Sequence, residues 1–520
     1  MSELLQSSIF AAISNSVVAI LFKIITFALN AFIIRRVSGD VLGIVNVRLI
    51  LLVDTIIFIS REAFRKACLK KPENGDWRGT INILWCSLLL GIPASGTLGY
   101  LWMHSVELPS QEDQYRKAVI LMCFSALIEL SMEAFFVIGQ IFQWVMFRAV
   151  IDMVTLLLRS GLFTLAVIYD PENAILWFAS AYLFSVFFQW IAYLRKMFFE
   201  FERKSILPLK TLTDVIPDIQ DRHLDPERSS LTWSFFKQGF LKQVLTEGEK
   251  YIFTWFSLMS LTDQGIYDVV ANLGSLAARL VFSKVEEAAY LFFNQSVKRG
   301  SDKVDPEVIK MLFRTLRTMT LFGLIVLTFG YSYSHLLLHL YGGQNLSSGI
   351  GPSLLRGHCL FVLFMAVNGV SECYSFAIMT SDQVDKYNYK MTLMAIFFLS
   401  ISWILAKFFG PIGFIIANCC NFAMRILHSC YVIQTHHGHH SEINPLTGFL
   451  LPLPSLLSLI LSAILCQVSE VFLYNPDDWV TWIGHLTIGG IVFIVSILVI
   501  IRNEPDLLKL IRKKVFGKTE

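Results

Sequence analysis

The chain has 520 residues, of which 55% are hydrophobic and 16% charged, with a formal net charge of +3 and a mean hydropathy of +0.59. A soluble domain carries roughly 25% charged residues, so this balance excludes a soluble enzyme, a disordered chain and a secreted disulfide scaffold. It points to an all-α polytopic membrane protein.

Apolar windows of spanning length, about 20 residues each, lie near 10–34, 42–60, 80–103, 117–138, 144–168, 173–194, 233–260, 266–293, 315–340, 353–380, 388–407, 411–433, 450–473 and 480–501. That makes fourteen predicted transmembrane helices. The first is too long for a cleaved signal peptide and its start, Ser2-Glu3, is not basic. The seventh and eighth carry several charges, and the fourth and fifth nearly touch. The nine cysteines sit mostly inside apolar runs without paired spacing, and read as reduced, packed thiols.

Lys and Arg sort by side. With the N-terminus in the cytosol, 26 of the 43 fall on cytosolic loops and the C-terminal tail, against five on the opposite side. The positive-inside rule asks for such a bias, and it places both termini in the cytosol. The longest loop is polar and interrupted by Pro208, Pro217 and Pro226, so it reads as a linker. The expected organisation is an N-terminal lobe of six helices over 1–195, a cytosolic linker over 196–232 and a C-terminal lobe of six helices over 233–434. A cytosolic loop over 435–449, helices 13 and 14 over 450–501 and a basic tail over 502–520 follow. A faint echo supports two lobes, Gly43-Ile44-Val45-Asn46-Val47 against Gly265-Ile266-Tyr267-Asp268-Val269. Internal repeats are a transporter habit, with substrate held where they meet.

Charge inside a bilayer is expensive unless it faces water or a partner, so ionisable residues within the windows are the candidate functional groups. Arg148, Asp152 and Arg159 of the fifth window stack on one helical face. Arg148 and Asp152 can pair there, which leaves Arg159 as a spare cation. Lys242 and Glu249 share a face in the seventh window, with Glu247 and Lys250 beside it. Arg279, Lys284, Glu286 and Glu287 stand in the eighth, Lys23 in the first, Arg48 in the second, and Glu129 with Glu133 in the fourth. Converging, these faces make a polar central cavity with surplus positive charge, suited to a phosphate or diphosphate head group. Lys23, Arg48, Arg148, Arg159, Lys242, Lys250 and Arg279 are the candidate contacts. Glu133, Asp152, Glu249 and Glu286 are the candidate supporting acids. Arg61 and Arg65 leave the second window on the cytosolic side as a candidate mouth. The competing structural account makes the pairs inter-helix ties and the flanking cations snorkelling groups.

The tract His436-His437-Gly438-His439-His440 lacks Cys or carboxylate at ligand spacing and reads as a solvated turn, so no metal site is expected. Of two glycosylation sequons, Asn294 falls on the cytosolic side and Asn345 close to the membrane on the other. No Gly-rich phosphate loop, HExxH, GxSxG or paired-Cys zinc pattern occurs, so neither an ATP-driven machine nor an enzyme is expected, and no cofactor.

The runs Leu245-Thr246-Glu247-Gly248-Glu249-Lys250-Tyr251, Asp263-Gln264-Gly265-Ile266-Tyr267-Asp268 and Asn272-Leu273-Gly274-Ser275-Leu276, followed by Arg279 and Glu286-Glu287, resemble the centre of one eukaryotic family. Phe32-Ile33-Ile34-Arg35-Arg36, Val45-Asn46-Val47-Arg48-Leu49, Arg61-Glu62-Ala63-Phe64-Arg65 and Glu133-Ala134-Phe135 match it too. This is the endoplasmic reticulum oligosaccharide-lipid translocation family of N-glycosylation. The resemblance covers essentially the whole chain. It implies a multidrug/oligosaccharidyl-lipid/polysaccharide exporter fold, two six-helix lobes around a central cavity with two extra C-terminal helices. It implies location in the endoplasmic reticulum membrane and passage of a mannosylated chitobiose diphosphate-dolichol from the cytosolic to the lumenal leaflet by alternating access. The implied partners are that dolichol diphosphate-linked oligosaccharide, the lipid bilayer and other membrane proteins of the pathway, with no nucleic acid. Two alternatives stand beside it, a glycolipid-binding scaffold that does not transport, and an ion-coupled exporter of small cations, which would need an acidic cavity. Ala134 stands where the family pattern has Pro, which predicts a locally straighter fourth helix.

Overall fold

The computed structural model describes residues 22, 24–72, 77–104, 109–202, 209–218, 224–276, 278–297, 305–437 and 444–504. Among them the chain is helical throughout its ordered elements and forms no strand. It divides into two compact units, Met1–Gly265 and Ile266–Glu520.

The first unit contains α1 (24–36), α2 (Gly39–Cys68), α3 (Trp77–His104), α4 (Glu112–Ile141), α5 (Val145–Tyr169), α6 (Ala174–Glu202), α7 (Pro226–Thr246), α8 (Gly248–Trp255) and the opening residues of α9 (Leu261–Gly274). The second contains the rest of α9, then α10 (Ser283–Ser296), α11 (Pro306–Gly342), α12 (Gly351–Ile378), α13 (Ser381–Phe409), α14 (Pro411–His437), α15 (Leu453–Phe472) and α16 (Trp479–Asn503). Eleven helices, α2–α6 and α11–α16, are long and apolar enough to cross a membrane. The expected fourteen are not reached on that measure among the described residues, for identifiable reasons. Most of the first window lies outside them. The seventh window is divided at Glu247, between α7 and α8, and the eighth is interrupted by a π-helical turn at Ala278–Phe282.

Helix starts follow their capping residues. Asp225 and Asp305 each accept a backbone N–H bond at the head of a helix whose first residue is proline, Pro226 and Pro306. Thr380 and Gln383 cap the start of α13 reciprocally, and Asp478 caps α16.

Three local departures from regular helix position the polar groups. Residues Gly43–Leu49 of α2 are wound as a π-helix, which disturbs the usual backbone ladder. The Arg48 carbonyl there accepts from the Trp102 indole at 3.0 Å, and the Arg48 side chain is buried. In α4 the regular winding is interrupted at Met132, whose N–H turns back to the Glu129 and Leu130 carbonyls, and Glu133, with the ion pairs described below, opens the following turn. Finally, α4 and α5 are separate helices joined by Phe142-Gln143-Trp144, with Gln143 at φ 60 and the Trp144 N–H bonded back to Gly139 O at 2.8 Å.

Part of the long polar loop is docked. Leu209 and Val215 are buried in the cluster that holds Phe135, Tyr193 and Met197. The Trp85 indole donates to Val215 O at 2.8 Å, and the Asp218 N–H donates to Asn82 Oδ1 at 2.9 Å. Asp214 accepts from the backbone of Lys210 and Thr211, which holds its carboxyl below the usual range. In the second unit, α15 and α16 attach to α11 through a small apolar cluster of Leu321, Leu459 and Ile500 and through polar ties. Arg317 pairs with Glu504 at 2.7 Å, and Tyr333 donates to His485 O at 2.7 Å while stacking on the His485 ring.

The two glycines of the internal echo meet each other. A Cβ on Gly43 would stand 2.0 Å from Leu261 O, and one on Gly265 would stand 2.6 Å from Gly43 N. Thr262 Oγ1 donates to Asp40 at 2.5 Å on the same crossing. In lipid, where no hydrophobic gain drives helices together, close backbone approach at small residues supplies packing. Gly43→Ala therefore costs about 1–3 kcal/mol, as overpacking does. Gly96→Ala, with nothing within 4 Å of the added carbon, leaves stability at or slightly above wild type. Thermal unfolding of the two detergent-solubilised variants beside wild type checks this ordering.

Candidate functional site

The cost of a charge in hydrocarbon decides what the charged residues of the first unit do. Glu133 is 1% exposed and takes two bonds from Arg65, Nε to Oε1 at 2.5 Å and Nη2 to Oε2 at 2.5 Å. This two-pronged pairing is the strong arginine–carboxylate geometry. Arg61 donates to Glu129 at 2.5 Å and lies 3.9 Å from Glu133. The Arg65 and Arg148 guanidinium groups both lie over the Phe136 ring, at 3.9 and 4.6 Å. Arg148 pairs with Asp152 at 3.5 Å, and Gln189 donates to Asp152 at 3.0 Å. Helices α2, α4, α5 and α6 are thus tied by one chain of ion pairs, ring contacts and hydrogen bonds.

Beside this chain stands a more open group. Asp54 of α2 is exposed although the residues on either side, Val53 and Thr55, are buried. Lys250, Glu247, Glu129 and Arg61 act on it electrostatically. Asp54 itself accepts no hydrogen bond and enters no ion pair among the described residues. Lys250 pairs with Glu247 at 3.0 Å at the junction of α7 and α8, and Tyr251 bonds Thr55 at 2.8 Å. Arg159 of α5 lies 3.7 Å over the Tyr182 ring and donates to Ser185 Oγ at 3.2 Å. Tyr182 in turn feels Glu129, Arg159, Asp54 and Arg61. Charged groups from α2, α4, α5 and the α7–α8 junction therefore share one polar face within the first unit.

The structure brings together Arg61, Arg65, Glu133, Arg148, Asp152, Arg159 and Lys250 of the residues picked from sequence. Arg48 is buried in the π-helical turn of α2, where Trp102 and Tyr115 surround it. Glu249 is half-buried at the start of α8. Lys23 lies outside the described residues, as do the side chains of Lys242 and Arg279 and the His tract beyond His437. Glu286 stands in the second unit. Its carboxylate packs on Gly369, where an added Cβ would lie 1.8 Å away, and Glu372 and Arg425 act on it.

Arg61 and Arg65, the residues expected at the cytosolic mouth, are engaged by Glu129 and Glu133. Among the described residues of the first unit, most of the cations expected on this face are paired. Arg61, Arg65, Arg148 and Lys250 each have a carboxylate at ion-pair distance, whereas Arg159 has none among the described residues.

Sequence reading passed over Asp54, Glu372 and Arg425. Asp54 lies in the most apolar stretch of α2, where a lone carboxylate was the available signal. Glu372 accepts from Arg425 at 2.5 Å, Tyr387 at 2.9 Å and Asn368 at 3.1 Å. Asn368 stands at helical spacing from Glu372, but Tyr387 and Arg425 lie on other helices, where no spacing rule links them to it. All nine cysteines are free, and the described residues hold no cluster of metal-ligating side chains.

Removing Glu133 strands the Arg65 guanidinium and leaves Arg61 with Glu129 alone. Glu133→Ala should lose about 3–5 kcal/mol of stability, the range for breaking a buried pair from one side. The double variant Arg65→Met with Glu133→Met should recover much of it. Thermal unfolding of purified single and double variants reads the difference.

Comparison with known proteins agrees with this architecture. The family model described as "Rft-1: Rft protein" matches residues 7–514. The Xenopus tropicalis protein described as "Man(5)GlcNAc(2)-PP-dolichol translocation protein RFT1" is 39% identical over 533 residues, covering 99% of this chain and 98% of that protein. Its Drosophila melanogaster counterpart is 35% identical over 540 residues, with 95% and 96% covered. Among solved structures, lipid II flippase MurJ in its inward closed conformation superposes with a TM-score of 0.61 at 14% identity, over 94% of this chain and 100% of that one. An inward-facing MATE multidrug transporter of the MOP superfamily gives 0.55 at 14% identity, over 80% and 96%. The fold is of that transporter type.

Proposed function

The chain belongs to the Rft-1 family, and from that premise we propose that it carries mannosylated chitobiose diphosphate-dolichol from the cytosolic to the lumenal leaflet of the endoplasmic reticulum membrane. Relatives that cover nearly the full length of the chain are described as translocation proteins for this glycolipid. A fold shared with a lipid flippase and a drug exporter supports transport over catalysis, so the chain acts without chemistry of its own.

The observation that carries the reading is the polar face of the first unit, where Asp54, Arg61, Glu129, Arg159 and the Glu247–Lys250 pair converge inside apolar helices. A glycolipid must move a hydrated head group through hydrocarbon while its dolichol tail stays dissolved in lipid. A wet polar face lowers that barrier by replacing the water the head group loses. In this proposal access to the face alternates between the two leaflets. Arg159 and Lys250 contact the head group, joined by Arg148. Asp152 and Glu249 position cations, and the Arg61–Glu129 and Arg65–Glu133 pairs border the cytosolic entrance. Transport is passive and drawn forward by consumption of the glycolipid in the lumenal leaflet, with both termini in the cytosol.

Reconstitution into vesicles with radiolabelled glycolipid tests this. Wild type should exchange the lipid between leaflets faster than protein-free vesicles. Arg159→Glu, at unchanged protein abundance, should slow exchange by about tenfold, equivalent to one lost charge-assisted contact. Binding without exchange would instead identify a scaffold.

A further inference from the structure

The charge balance of the polar face bears on which part of the glycolipid it meets. A face built only to grip a diphosphate would carry surplus cations, because every ionised carboxylate nearby repels the phosphate oxygens. Here the cations are matched by acids. Arg61 pairs with Glu129 at 2.5 Å and Lys250 with Glu247 at 3.0 Å. The acid least explained by structure is Asp54. It stands exposed in the middle of a membrane-spanning helix, between buried Val53 and Thr55. It has no hydrogen-bond donor and no ion-pair partner among the described residues, although Lys250 and Arg61 act on it from nearby. An ionised carboxylate in that setting can only accept hydrogen bonds. What it lacks is a donor.

Sugar hydroxyls supply such donors and also accept from guanidinium and ammonium groups. A neutral array of paired acids and bases around an unsatisfied carboxylate is therefore complementary to a polyhydroxyl surface and indifferent to net charge. Arg159 differs. It holds a ring face and one hydroxyl, with no carboxylate at ion-pair distance among the described residues, so it retains attraction for an anion.

We propose that Asp54, flanked by the Arg61–Glu129 and Lys250–Glu247 pairs, binds sugar hydroxyls of the glycolipid, and that Arg159 takes the phosphate. This rests on the function proposed above and divides its site into a glycan-reading part and an anion-binding part.

Three probes separate the parts on the full chain in lipid nanodiscs. They are the mannose-rich chitobiose diphosphate-polyprenol, the same polyprenyl diphosphate without sugar, and the phosphate-free oligosaccharide. Asp54→Asn should weaken the first by about tenfold, the factor equal to 1.4 kcal/mol, and leave the second unchanged. Arg159→Gln should weaken both. The free oligosaccharide should compete with the first on wild-type protein, a measurement that needs no variant to fold. The assignment is overturned if Asp54→Asn weakens both lipids equally, or if the free oligosaccharide fails to compete. Failure of wild type to bind either lipid would overturn the parent reading instead.

Discussion

A charge placed in hydrocarbon has to be matched or wetted, and nearly every polar feature of this chain follows from that requirement. Glu133 shows the matched solution. At 1% exposure it is unsupportable alone, and the bidentate contact from Arg65 with Arg61 close by makes it a tie between α2 and α4. Asp54 stands for the other solution, since it is exposed and has no direct partner among the described residues. The two lie on the same pair of helices and do opposite work. One closes the bundle and the other leaves a polar surface within it.

The departures from regular helix serve the same end. Winding at Gly43–Leu49 is loosened where Arg48 must be enclosed, and α4 resets at Met132 one residue before Glu133. The division of α7 from α8 falls at Glu247, beside the Lys250 pair. In each case irregular backbone coincides with a charged side chain, and the first two fall within helices long and apolar enough to cross a membrane. Backbone irregularity at that depth is tolerated where it is buried in protein or lines a wet cavity.

Much of the fold was legible in the sequence because hydropathy and length act locally. The windows that became α2–α6 and α11–α16 are continuous apolar runs, and the Asp-Pro pairs at 225–226 and 305–306 announce their helices. Local rules also found Arg148 with Asp152 at helical spacing. They failed where partners are brought together by tertiary packing. Arg65 with Glu133, Arg425 with Glu372 and Arg317 with Glu504 are separated by many helical turns. Counting cations by window therefore suggested surplus positive charge, while most of the described cations on this face of the first unit are paired. Asp54 escaped for a related reason, since one acid in an apolar run has no periodic neighbour to mark it.

The account stands on the polar face being wet, and cysteine accessibility measures that most directly. In a variant with the nine native cysteines replaced, Asp54→Cys and Arg159→Cys should react with a hydrophilic, membrane-impermeant thiol reagent. Leu89→Cys and Leu165→Cys, exposed on apolar helix surface, should remain unlabelled in the intact membrane. If position 54 proves as inert as those two, the face is not open to water, and the path described for the head group does not exist.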